Sequence, residues 1–125
     1  MIDQIRANAE LVISLAKRDL GRIICYDQSG VEWLDGYIQK LHNGKTPASE
    51  KLISVLGSYL GECIIRKFGG HWAEIDGNWC VQFDDQNAAF PFSKVAKQLD
   101  HGAEDSVLSY FTATPLVFLQ LRNPE

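Results

Sequence analysis

Cysteines are few in this chain of 125 residues, which has only Cys25, Cys63 and Cys80. Their number is odd, and no two of them are spaced as Cys-x-x-Cys. A disulfide framework or a thioredoxin-like redox motif is therefore not expected, and all three are predicted to be buried as small apolar side chains.

Long apolar runs are also missing. The runs at 11–16 and 116–119 are far too short to cross a bilayer. Asp3 and Glu10 lie where a signal peptide would be basic and then apolar. We therefore expect a cytoplasmic protein that does not bind membranes.

Basic residues are scarce in the second half of the chain. Residues 1–68 hold nine basic and eight acidic side chains, whereas residues 69–125 hold three basic and eight acidic ones, for a total net charge of −4. Nucleic-acid binding normally requires a basic face, so this class of partner is excluded. An acidic second half would instead attract a basic protein.

Sequence motifs for catalysis are absent too. The chain has no Gly-x-Ser-x-Gly, no Walker loop, no Gly-x-Gly-x-x-Gly and no ligand spacing of a known metal site. We accordingly predict no cofactor and no metal.

The length and the apolar periodicity predict one α+β domain over residues 1–125. Helical spacing comes first, then the period changes to that of strands, and short helices follow. The predicted elements are helices at about 3–20, 30–43 and 47–68, an antiparallel meander at about 71–90, and helices at about 93–101 and 104–113.

Three helix starts carry local signals. Ser29 and Glu32 form a capping-box pattern, Thr46 precedes a proline as an N-cap would, and Ser93 is the expected N-cap of the short helix. Inside the helix at 47–68, Gly57 and Gly61 lie one turn apart. Glycine weakens a helix, so we expect a neighbouring element to approach closely at these positions.

The hairpin around Gly77 has two possible registers. A three-residue loop, 76–78, places Trp72 and Glu74 on the face opposite Trp79, whereas a two-residue loop places all three side chains together. We favour the three-residue loop because it keeps carboxylates off the core face. In either register at least one tryptophan lies off the core face unless helices cover both faces, and an exposed tryptophan could bind a partner.

Four segments occur in an order that resembles small bacterial domain families of unknown function. The resemblance covers roughly residues 27–112 and rests on Trp33-Leu34-Asp35-Gly36, Tyr59-Leu60-Gly61-Glu62, Gly69-Gly70-His71-Trp72 and Phe90-Pro91-Phe92-Ser93-Lys94-Val95. It implies a bacterial, cytoplasmic α+β protein and assigns no catalytic residue.

Glu62 is the strongest polar candidate in the sequence. Tyr59 lies one turn before it and Arg66 one turn after, so Glu62 could pair with Arg66 or accept a hydrogen bond from a tryptophan of the hairpin. The alternative is a small enzyme that uses Glu62 with Tyr59 or a histidine for acid–base chemistry. Asp35 is interpreted as a surface position.

We favour a non-enzymatic interaction protein that binds a protein partner through an acidic surface. A bacterial toxin-neutralising, immunity-type protein with a basic toxin domain as its partner is one version of this hypothesis. The predicted binding residues are Trp72, Glu74, Asp84, Asp85, Glu104 and Asp105.

Overall fold

The computed structural model describes residues 1–122, and their side chains up to residue 115. It confirms the α+β class. The elements in chain order are α1 (Ile2–Leu20), α2 (Gln28–Asn43), α3 (Glu50–Phe68), β1 (His71–Ile75), β2 (Asn78–Gln82), β3 (Ala88–Ala89), α4 (Pro91–His101), a 3-10 turn (Gly102–Asp105) and α5 (Val107–Arg122). The last helix is longer than predicted, since it continues past residue 113.

All three predicted N-caps are wrong, and in α2 and α3 another polar residue caps the helix instead. The N-cap of α2 is Asp27, whose carboxylate accepts the Gly30 amide at 2.9 Å, so the helix begins before the capping box at Ser29. The N-cap of α3 is Ser49, whose hydroxyl accepts the Leu52 amide at 3.2 Å, so Thr46 and its proline lie before the helix. At the start of each helix two residues that can cap lie close together, Asp27 and Ser29 in α2 and Thr46 and Ser49 in α3. Side-chain type alone does not decide which of the two begins the helix.

The start of α4 also differs from the prediction. The helix begins at Pro91, and Phe90 precedes it without a side-chain cap, so Ser93 lies inside the first turn. Proline suits this place because its fixed φ matches a helix and its missing N–H is not needed there.

Helix α3 is the centre of the fold, because every residue from Leu56 to Ile64 is buried. Helices α1 and α4 pack against it, as does the sheet. A Cβ atom on Gly57 would lie 2.4 Å from Phe92 Cδ1, and one on Gly61 would lie 2.0 Å from Trp72 Cη2. The expected close approach at both glycines is therefore confirmed.

The hairpin has the two-residue loop, so the favoured register is wrong. Trp72 pairs with Val81 and Glu74 pairs with Trp79, which places these four side chains on one face. The loop residues Asp76 and Gly77 have φ values of 52° and 81°, as a type I′ turn requires. The carboxylate of Glu74 causes no conflict because it is exposed near the hairpin tip.

We expect Gly61→Ala to lower the free energy of unfolding by about 2 kcal/mol, because the added methyl group collides with the Trp72 ring. Gly36→Ala in α2 is the matched control. Nothing lies within 4 Å of its new Cβ, so better helix propensity should raise stability by up to about 1 kcal/mol. Urea denaturation of both variants measures the difference, and equal effects would contradict the packing account.

Candidate functional site

The carboxylate of Glu62 anchors the hairpin to α3. Its Oε2 accepts the Trp72 indole N–H at 2.8 Å, and its Oε1 lies 3.7 Å from an Arg66 guanidinium nitrogen. The residue is only 6% exposed. Burial of a carboxylate is costly without such partners, so both contacts serve to hold the fold.

Tyr59 has a different partner, although it lies on the same helix. Its hydroxyl donates to the carbonyl of Cys25, and its ring lies 5.5 Å from that of Tyr26. Burial raises the pKa of Tyr59 far above its usual range. Glu62 and Tyr59 are therefore both bonded to structural partners, and the geometry favours a structural role for each.

Three other acid–base or nucleophile candidates are also buried or hydrogen-bonded. Burial raises the pKa of Cys63 to about 12, so this thiol stays protonated at neutral pH. The Nδ1 atom of His42 lies 2.8 Å from the Leu99 carbonyl, and that of His101 lies 2.8 Å from Asp105. None of these contacts brings a base to Glu62.

Two of the predicted binding carboxylates are used inside the fold. Asp84 Oδ1 accepts the amides of Gln86 and Asn87, each at 2.8 Å, and so shapes the turn after β2. Asp105 contacts His101 and also Lys94, whose Nζ is 3.1 Å away. The hydrogen bonds from these two partners hold the pKa of Asp105 below its usual range.

Three of the predicted binding carboxylates remain exposed, namely Glu74, Asp85 and Glu104. The indole of Trp72 is not available to a partner, because the ring packs over Gly61 and the residue is only 6% exposed. The tryptophan that reaches the surface of the hairpin is Trp79, which is half-buried.

The prediction that Asp35 is a plain surface residue is wrong. Its Oδ1 accepts the Ser106 hydroxyl at 2.6 Å and the Leu108 amide at 3.2 Å, so it satisfies the start of α5. The buried Gln98 supports the same joint, because it bonds the Asp35 carbonyl at 3.2 Å and accepts from the next helix. The order of motifs around Asp35 was the only signal that could have marked it.

An apolar cleft of about 290 Å³ lies at the end of the core where α1 and α3 begin. The first turns of α1 and α3, the hairpin tip and the start of α4 surround it. Its apolar lining consists of Met1, Ile5, Ile53, Trp79, Phe90 and Phe92. Sequence reasoning missed this cleft, because its walls come from four separate elements.

The charged side chains around this cleft have one sign. Glu50 is the only charged side chain among its described lining residues, and Glu74 lies directly across the hairpin from Trp79. Phe90 is 40% exposed, so part of this aromatic side chain is accessible at the cleft. The cleft therefore combines apolar walls with a carboxylate rim.

Comparison with protein-family models, with curated proteins and with solved structures finds no match for this chain. Among the described residues, no three His, Cys, Asp or Glu side chains are grouped so that they could hold a metal ion. Over the same part of the chain, no helix combines the length and apolarity needed to span a membrane.

We expect Glu62→Leu to destabilise the protein by about 2 kcal/mol, because the buried Trp72 indole N–H loses its acceptor. Glu62→Gln keeps an acceptor oxygen and should cost about 1 kcal/mol or less. Chemical denaturation monitored by tryptophan fluorescence gives both values. If the leucine variant is as stable as the glutamine variant, the indole bond does not anchor the hairpin.

Proposed function

We propose that this chain is a non-enzymatic interaction protein whose cleft at Trp79 and Phe90 binds a basic protein partner. The observation that carries the proposal is that the half-buried Trp79 and the exposed Phe90 form walls of an apolar cleft. Aromatic side chains in a partly closed pocket are typical centres of protein interfaces. A partner side chain could remove them from water without any rearrangement of the core.

Charge supports a basic partner. Glu50 lines the cleft, and Glu74 extends from the same face of the hairpin as Trp79. Residues 69–125, which supply Trp79 and Phe90 to the cleft, carry three basic and eight acidic side chains, a balance that attracts cations. Exposed carboxylates of this kind raise the rate of association more than the final affinity.

The cleft is tested by Phe90→Lys, which places a positive charge at its wall. We expect binding to the partner to weaken about tenfold or more, through lost aromatic contact and repulsion of a basic surface. The partner would be captured on immobilised protein from the source cells, identified, purified and titrated against each variant.

Leu11→Lys is the matched control for this experiment. Leu11 is 51% exposed on α1 and is not among the residues that line the cleft. It therefore receives the same charge change on another surface and should bind as tightly as the wild type. Equal binding by both lysine variants would contradict a role for the cleft.

Within this proposal, the specific version is a cytoplasmic protein that neutralises a basic toxin domain. It is supported by the small acidic fold and by Cys25, which is exposed, contrary to the prediction of burial, and whose free thiol suits a reducing compartment. Growth arrest caused by expression of the captured partner should then be relieved by co-expression of the wild-type chain, but not of Phe90→Lys. Relief by neither protein would contradict neutralisation while leaving the interaction itself intact.

A further inference from the structure

Strand β1 has a free edge. The sheet order is β1-β2-β3, so β1 is paired on one side only, and no other described strand lies beside it. Two of its five residues, His71 and Glu74, are exposed. An unpaired strand edge is a template for another extended chain, and proteins use such edges to bind peptides.

The two-residue loop determines which main-chain groups face that edge. In such a hairpin the pair that flanks the loop exchanges both hydrogen bonds, and bonded pairs then alternate with unbonded ones. Ile75 with Asn78 is the flanking pair, so Ala73 with Cys80 is bonded as well. The N–H and C=O groups of Trp72 and Glu74 therefore point away from β2, toward the open edge.

The outward N–H and C=O groups of Trp72 and Glu74 have no hydrogen-bond partner among the described residues. No backbone or side-chain contact among these residues satisfies the amide of Trp72 or that of Glu74. The pairing of β2 with β3 follows the same alternation. The main-chain N–H and C=O groups of Val81 point away from β1, and Val81 is paired with Ala89 of β3. The edge thus offers two donors and two acceptors in the spacing of a strand.

The charge along this edge selects the partner. Residues 71–76 include Glu74 and Asp76 but no Lys or Arg. A strand added beside β1 would place a side chain opposite Glu74, and opposite charges in that position stabilise the pair whereas like charges repel. The same face continues across the hairpin to Trp79 and the cleft.

We propose that an extended segment of the partner, with Lys or Arg at alternate positions, adds to the free edge of β1 as a fourth strand. This inference rests on the proposed function and specifies the part of the partner that is recognised. Main-chain bonds to Trp72 and Glu74 hold the segment, and the carboxylate of Glu74 selects its basic side chains. A second copy of this chain fits the edge less well, because β1 itself carries no basic residue apart from His71.

Amide hydrogen exchange of the full chain tests the proposal, with a synthetic peptide of alternating lysine and valine as the probe. In the free protein the amides of Trp72 and Glu74 should exchange fast, while those of Ala73 and Ile75 are already protected. Saturating peptide should slow exchange at Trp72 and Glu74 about tenfold or more. Unchanged exchange at both amides would overturn strand addition.

Three comparisons separate strand addition from simple charge attraction. The same peptide with N-methyl groups on its lysines keeps its charge but cannot donate the main-chain hydrogen bonds to β1, since the lysine opposite Glu74 is the residue that would make them. It should bind about tenfold more weakly. Glu74→Arg should weaken binding of the lysine peptide by a similar factor, whereas Glu32→Arg, an exposed charge change on α2, should have little effect. Equal loss in both arginine variants, or full binding of the methylated peptide, would contradict the proposal.

Two further outcomes remain informative. If the free protein forms a dimer in which the Trp72 and Glu74 amides are protected, the edge belongs to a second copy and the proposal is wrong. If the peptide leaves these amides unchanged while Phe90→Lys still loses the partner, the cleft proposal stands and only strand addition fails.

Discussion

One contact organises this protein: the indole of Trp72 lies against α3 where Gly61 leaves room for it, and its N–H is accepted by Glu62 at 2.8 Å. The two neighbouring helix residues act together, because the glycine permits the approach and the carboxylate satisfies the buried donor. Any side chain at residue 61 would separate the sheet from the helix. The position of β1, and with it the whole hairpin, depends on this contact.

The cleft depends on a second aromatic ring that packs over a glycine, one turn earlier on α3. Phe92 packs over Gly57, and its ring centroid lies 5.7 Å from that of Trp72, so the start of α4 and the hairpin share one aromatic layer. Beyond this layer the hairpin tip and the first turns of α3 line the cleft together, and Trp79 lies in its wall. The opening is therefore a consequence of the two glycine contacts, which fix the sheet and α4 but leave the end of the core uncovered.

Much of the fold could be predicted from local pattern, whereas the joints between elements could not. The helical periodicity and the spacing of Gly57 and Gly61 indicated a central helix with close neighbours, and the structure confirms both. The choice of Asp27 over Ser29 as a cap was beyond such rules, since both side chains can accept an amide. The role of Asp35 was hidden for another reason. Its acceptor function serves Ser106, which is 71 residues away, and no local pattern reports such a contact.

The register of the hairpin shows why one wrong local choice changes the functional interpretation. The aim of keeping Glu74 off the core face favours the three-residue loop, but a strand face is core only where a helix covers it. The tip of this hairpin extends past that cover. Turn chemistry therefore decided the register, through the left-handed Asp76 and Gly77. In the three-residue register Glu74 and Trp79 would lie on opposite faces, and the cleft would have no carboxylate from β1 beside it. The observed loop brings acid and aromatic together, and by the same alternation it turns the amides of Trp72 and Glu74 outward.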